Sequence, residues 1–231
     1  MRLFRFIFVV PALAAAVLIA QERLDTTAMR NDFFAAFSGN VDASTRLIAN
    51  SERMLAANPD HPQALAWHGL TLLATGAPDS RAPSDEQNAA IARFRKGVAE
   101  LDRAVGLAPD DIEVRVLRGV AFRPISLQIP APFSERMLEE ARTDFQRIFD
   151  LEREQLNEIG THPLGELLQA LGDIYARQGK VEEAERYYRL IATKLAGTEY
   201  AVRAARWLET RQPLSPEQTG CVGCHVAARA D

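Results

Sequence analysis

Residues 163–196 read PLGELLQALGDIYARQGKVEEAERYYRLIATKLA, and their apolar side chains follow the period of an α-helix twice. In the first half, four residues fall at positions i, i+3, i+4 and i+7: Leu168, Leu171, Gly172 and Tyr175. In the second half, the helical spacing is kept by Val181, Ala184, Tyr188 and Ile191. A turn at Gly179 separates the halves, so the segment predicts two amphipathic helices joined by a tight turn.

This unit resembles the tetratricopeptide repeat. Gly172 and Ala184 stand where that family places small residues, which let its paired helices approach closely. Tyr175 and Tyr188 occupy its large aromatic positions. The proline that usually ends the second helix is missing, and residues 196–197 (Ala-Gly) stand in its place.

Weaker copies of the unit precede it. Gly69 and Gly119 align with Gly172, but the separations are about 50 residues, against the family's period of about 34. The chain should therefore contain insertions: a loop over 77–87 and a proline-rich segment over 124–132 that breaks any helix. The remaining parts of the array would be an incomplete opening unit over 26–59, with helices at 31–37 and 42–57 joined at Gly39-Asn40, and a closing helix over 198–209.

The resemblance covers residues 26–209 and implies an all-α fold, a TPR-like helical-hairpin solenoid with a short C-terminal haem-binding tail. Stacked hairpins bury their apolar faces only against their neighbours, and about three repeats suffice for stability. In this family the concave face usually holds a peptide or partner protein. A plain scaffold with no ligand on that face is the alternative.

The haem prediction comes from the end of the chain, Cys221-Val222-Gly223-Cys224-His225. C-x-x-C-H is the attachment signature of c-type haem, in which two thiols bind one edge of the porphyrin and the adjacent imidazole lies under the iron. These are the 2 cysteines of the protein, so we expect one covalent haem c on Cys221 and Cys224, with His225 as proximal ligand. The likeness to c-type cytochromes covers this motif alone. A redox or structural disulfide, a metal site or an unused motif are the alternatives.

Residues 210–220 read TRQPLSPEQTG, and their polar, proline-punctuated composition predicts a linker to the haem attachment tail at 221–231. This tail is too short to bury a porphyrin, so the haem would dock on the repeats, be exposed, or be covered by a partner protein. The linker from Leu208 to Cys221 could span at most roughly 45 Å. We also expect residues 26–209 to fold without the tail, because the apolar periodicity ends at Leu208.

After His225 the tail holds no His or Met that could be the sixth ligand of the iron. The first candidate is His162, which begins the best-formed repeat and which Pro163 should leave outside the helix. His68 is the second candidate for the sixth ligand and Met137 is the third. The alternative for His162 is a helix cap or loop residue, and the alternative for His68 is a hydrogen-bonded core histidine.

Residues 1–20 carry the pattern of a signal peptide: Arg2 and Arg5 precede an apolar stretch over 6–20. The stretch is short for a membrane span, which needs about 20 residues, although an uncleaved N-terminal anchor stays an alternative. Export to a bacterial periplasm agrees with the terminal motif, because haem is attached to such motifs outside the inner membrane. The formal net charge of −4 argues against nucleic acid as a partner, and membrane contact is expected only through an uncleaved N-terminal segment.

These features together predict an exported bacterial protein that acts in electron transfer or redox sensing within a protein assembly. Its protein partners would bind the concave face and the haem tail. One alternative is an interaction scaffold or envelope assembly factor without bound haem. A second alternative is a haem peroxidase-like enzyme, which would need an open site at the iron and an acid/base group beside it.

Overall fold

The computed structural model describes residues 26–75 and 83–215, and over these residues the fold is all-α. The helices are α1 (Thr27–Phe37), α2 (Val41–Ala57), α3 (Pro62–Thr75), α4 (Ser84–Leu107), α5 (Ile112–Ser126), α6 (Phe133–Leu151), α7 (Thr161–Arg177), α8 (Val181–Lys194) and α9 (Glu199–Thr210), with a 3-10 turn at Arg153–Gln155 between α6 and α7. No strand occurs in this part of the chain. The expectation of an all-α protein is confirmed.

Consecutive helices pack as hairpins. The most extensive contacts are those of α3 with α4, α5 with α6, and α7 with α8, and α1 also packs against α2. Neighbouring hairpins meet through α2 with α3, α3 with α5, α6 with α7, and α8 with α9. Each hairpin is therefore packed most extensively within itself, and it also contacts its neighbours along the chain.

Side chains and glycines at the helix ends explain where several helices begin and end. The Asn40 side chain accepts a hydrogen bond from the Ala43 N–H at 3.0 Å at the start of α2, and Asp111 accepts one from the Val114 N–H at 3.1 Å at the start of α5. Gly179, between α7 and α8, has φ of +71°, a left-handed conformation that favours glycine. These local signals are visible in the sequence, and the tight turn expected after Tyr175 is confirmed.

In the α7–α8 hairpin, the close approach of the two helices explains why small residues occupy the crossing. A Cβ atom on Gly172 would lie 2.9 Å from the Tyr188 ring, so a larger residue would push the two helices apart. Ala184 and Tyr188 are fully buried, and Tyr188 stacks on Trp207 of α9 with ring centroids 4.5 Å apart. A helix is thus present where the sequence predicts a closing helix over 198–209, and its Trp207 belongs to the hydrophobic core.

At both predicted insertions, a helix in the structure extends into the segment that was expected to be non-helical. α5 continues through Pro124 to Ser126, so the helix does not break at Pro124. Proline has a helical φ, and in the last turn its missing N–H costs one hydrogen bond at the end of the ladder. α4 begins at Ser84, so the last residues of the loop expected over 77–87 are helical, with Asp85 and Glu86 in the first turn, where the helix dipole favours carboxylates.

Several predictions fall outside the described residues. These are the signal peptide or anchor over 1–20, the attachment tail over 221–231 and the second half of the linker. Within 26–75 and 83–215, no helix combines the length and the apolar character that a membrane span requires.

Candidate functional site

The predicted attachment residues Cys221, Cys224 and His225 lie outside the described residues. The structure describes the first half of the predicted linker, as far as residue 215, and the three residues predicted as sixth ligands of the iron.

Residues 211–215, here named the C-terminal strap, pack against the ends of α7, α8 and α9. The Leu214 side chain is 4% exposed, and its backbone carbonyl accepts a hydrogen bond from the Arg177 guanidinium. The Arg211 guanidinium lies 2.7 Å from the Glu185 carboxylate and 4.8 Å from the centroid of the Trp207 ring. The first half of the predicted linker is therefore held on the helical domain as far as Leu214.

The contacts of the C-terminal strap predict that two truncations differ in stability. A chain ending at Ser215 should unfold with the stability of the full chain, whereas a chain ending at Thr210 should lose about 2 kcal/mol, the order expected for exposing one buried leucine. Thermal unfolding followed by far-ultraviolet circular dichroism measures the difference. Equal stabilities would mean that the strap contributes nothing, as the sequence led us to expect for a truncation after Glu209.

His162 lies within the first turn of α7 rather than outside the helix, so the expectation based on Pro163 is wrong. The first N–H groups of a helix have no partner within it, and a proline there costs no hydrogen bond. The His162 side chain is exposed. Its Nδ1 lies 2.8 Å from the Tyr200 hydroxyl, and that hydroxyl donates a hydrogen bond to Glu166 Oε1 at 2.8 Å.

The other two predicted ligands are buried. The His68 side chain is 2% exposed, and its Nδ1 lies 2.6 Å from Glu100 Oε2. Met137 is 5% exposed and belongs to the hydrophobic core. Of the three predicted ligands, His162 is therefore the one with an exposed side chain.

The sequence does not predict the partners of His162. Glu166 is one helical turn after His162, a spacing that brings two side chains onto one face. Tyr200 lies on α9, far from both in sequence. Gly165 makes room for it, since a Cβ atom there would lie 2.5 Å from the Tyr200 ring. A glycine inside a strongly periodic helix was the signal that another element approaches closely.

A groove of about 550 Å³ lies between α6 and α8. Its lining combines apolar side chains with three guanidinium groups: Phe149, Leu156, Leu190, Thr193, Arg153, Arg186 and Arg189. Two of these arginines are already paired, Arg153 with Asp150 and Arg189 with Glu185. No histidine, cysteine or methionine is in this lining, so the groove offers no ligand to an iron.

Over the residues that the structure describes, no group of three or more His, Cys, Asp or Glu side chains is arranged to hold a metal ion. Comparisons of the chain with protein-family models, with curated proteins and with solved structures found no match.

Proposed function

We propose that this protein is an exported helical-repeat protein, similar to the tetratricopeptide class, that carries one covalent c-type haem and transfers electrons or senses redox state within a protein assembly. Cys221 and Cys224 hold the haem, and His225 is the proximal ligand of its iron. The observation that carries the proposal is the C-x-x-C-H motif built from the chain's 2 cysteines. When bound, the haem supplies a one-electron redox centre.

The aligned glycines support the repeat architecture. A Cβ atom on Gly69 would lie 2.7 Å from the carbonyl oxygen of Gly97. On Gly119 and on Gly172 it would lie 2.9 Å from the rings of Phe145 and Tyr188, respectively. In the α3–α4, α5–α6 and α7–α8 hairpins the aligned glycine of the first helix thus lies against the second helix, on backbone at Gly69 and on an aromatic ring at Gly119 and Gly172. A close approach of the helices at the aligned position of successive hairpins is expected of stacked repeats.

The C-terminal strap supports a haem that lies near the last hairpin. The chain is held as far as Leu214, through its burial and the hydrogen bond from Arg177. From Ser215 to Cys221 the chain can extend only about 20 Å. An attached haem would therefore be within reach of the surface of α7, α8 and α9, so that a partner protein could contact both the haem and the helices.

Covalent attachment predicts that haem stays on the denatured polypeptide. The full chain, expressed in a host with periplasmic haem-attachment machinery, should retain haem through denaturing electrophoresis. Cys221→Ser combined with Cys224→Ser should abolish this retention, and Ser215→Ala, a few residues before the motif, should leave it unchanged. A colourless wild-type protein with both thiols free would refute the proposal and favour the haem-free scaffold.

A further inference from the structure

The floor of the groove between α6 and α8 is apolar. Phe149 of α6 and Leu156 of the connection over 152–160 are buried, and Leu190 of α8 is half-buried. The ring of Phe149 packs edge-on against the ring of Tyr187, with the ring centroids 5.4 Å apart. The floor is thus held by the core beneath it, and a ligand must enter the groove to touch it.

The connection over 152–160 forms one wall of the groove. It contains the 3-10 turn Arg153–Gln155, and the Lys194 ammonium donates a hydrogen bond to Oδ1 of Asn157 at 2.5 Å. This hydrogen bond joins the connection to the last turn of α8, so the groove is preformed. Its volume of about 550 Å³ lies within the roughly 300–1,000 Å³ that is typical of ligand sites.

The opposite wall is one face of α8. Arg186, Arg189, Leu190 and Thr193 line the groove at positions i, i+3, i+4 and i+7, a spacing that places them on the same face of the helix. None of these four is among the buried residues of α8. The helix therefore has a second face, separate from the one that packs into the core.

Three guanidinium groups, those of Arg153, Arg186 and Arg189, surround the floor, and all three side chains are exposed. None of the described residues that line the groove is Asp or Glu. Within residues 26–75 and 83–215, Arg186 forms no ion pair, and its guanidinium lies 5.7 Å from the centroid of the Tyr187 ring. The rim of the groove is thus positively charged.

The ion pairs of the other two arginines are easily exchanged. Arg153 pairs with Asp150 at 2.7 Å and Arg189 pairs with Glu185 at 2.5 Å, and both arginine side chains are more than half exposed. Exposed pairs at this spacing stabilise a helix only slightly. A carboxylate of a ligand can therefore replace the intramolecular one, and guanidinium groups bind carboxylates through two parallel hydrogen bonds.

An apolar floor inside a basic rim fits an acidic peptide that carries an aliphatic or aromatic side chain. Single-stranded nucleic acid would stack its bases on exposed rings, whereas Phe149 is buried. A membrane surface would need apolar side chains that project outward, and those of the groove lie at its floor. A fatty acid would need an enclosed site, and most of the lining residues are exposed.

We propose that the groove between α6 and α8 is a docking site for an acidic segment of a partner protein. An aliphatic or aromatic side chain of that segment packs on Phe149, Leu156 and Leu190, and the carboxylates on either side of it bind Arg186 and Arg189. The site is built from the second helices of the α5–α6 and α7–α8 hairpins. It requires only described residues of the helical domain, so it stands whether or not haem is attached.

The first test selects ligands for the immobilised full chain from a phage-displayed library of random dodecapeptides. The enriched peptides should carry Asp or Glu on either side of an aliphatic or aromatic residue. A selection that enriches no peptide, or that enriches only peptides without acidic residues, would overturn the proposal.

The second test measures the affinity of one enriched peptide, synthesised with a fluorescein label, by fluorescence anisotropy. Arg186→Glu replaces the cation without a carboxylate partner by an anion and should weaken binding about 10- to 100-fold. Leu190→Ala removes part of the floor and should weaken binding about 10-fold. Arg95→Glu makes the same charge change at an exposed position of α4 and is the matched control, expected to bind like the wild type.

The other occupants of the groove give different results. If Arg186→Glu and Leu190→Ala both bind the peptide like the wild type, the peptide binds elsewhere and the proposal is wrong. If phosphatidylglycerol vesicles bind the wild type but not Arg186→Glu, and no peptide is enriched, the groove contacts a membrane instead. If sedimentation shows a dimer that Arg186→Glu dissociates, the occupant is a second copy. A chain that binds the peptide but lacks covalent haem refutes only the proposed function.

Discussion

Asp144→Ala should lower the free energy of unfolding by about 3–5 kcal/mol, the cost of removing one partner of a buried ion pair. The Asp144 side chain on α6 is fully buried. Arg115 and Arg118 of α5 donate hydrogen bonds to its carboxylate at 2.8 Å and 2.7 Å. Arg118 also bonds Asp102 of α4 at 3.0 Å, so the network joins three helices.

The large effect follows from burial. Burial raises the pKa of Asp144, and the guanidinium groups of Arg118 and Arg115 act in the opposite direction by stabilising the carboxylate. Without that carboxylate, two poorly exposed guanidinium groups keep their charges in a region that water does not hydrate well.

Urea unfolding measures the change, and Asp110→Ala is the matched control. Asp110 pairs with Arg147 at 2.7 Å, but both side chains are well exposed, so its loss should cost less than about 1 kcal/mol. If Asp144→Ala and Asp110→Ala change the stability equally, the buried network does not hold the α5–α6 hairpin together.

Gly97→Ala should lower the free energy of unfolding by about 2 kcal/mol, within the range for forcing an extra methyl group into a packed contact. A Cβ atom on Gly97 of α4 would lie 2.8 Å from the carbonyl oxygen of Gly69 on α3. The obstacle is backbone, so the contact can be relieved only by moving α3 and α4 apart. That movement would loosen the Leu73 and Leu101 side chains packed around the crossing.

Gly106→Ala is a control in the same helix. No atom lies within 4 Å of a Cβ atom built there, so the substitution should gain up to about 1 kcal/mol of helix propensity. The two substitutions are chemically identical and should shift the melting temperature in opposite directions. If Gly97→Ala and Gly106→Ala both raise the melting temperature, the α3–α4 crossing is not tightly packed.

The sequence predicted the hairpins well because the signals are local. The period of the apolar residues identified α7 and α8, and Gly39-Asn40 identified the turn between α1 and α2. The sequence-based predictions that the helix breaks at Pro124 and that His162 lies outside α7 were wrong for the same reason. A proline costs no hydrogen bond in the first turn of a helix and costs one near its end, and only the finished structure shows which turn a proline occupies.

The composition of the C-terminal strap predicts a linker, but the contacts of the strap depend on partners distant in sequence. Leu214 is buried because α7 and α9 lie beside it, and Arg177 bonds its carbonyl although about 37 residues separate them. No periodicity extends over the five residues 211–215, so a pattern of apolar residues could not have revealed this packing.

The sequence by itself determined the helical period, the small residues at the hairpin crossings and the C-x-x-C-H motif at 221–225. These depend on residues that are neighbours along the chain, because a helix and a C-x-x-C-H motif are defined by spacing alone. The tertiary structure alone decided that Tyr200 meets His162 and that Asp144 meets two arginines. Those contacts join helices whose residues lie tens of positions apart, and only packing brings them within hydrogen-bonding distance.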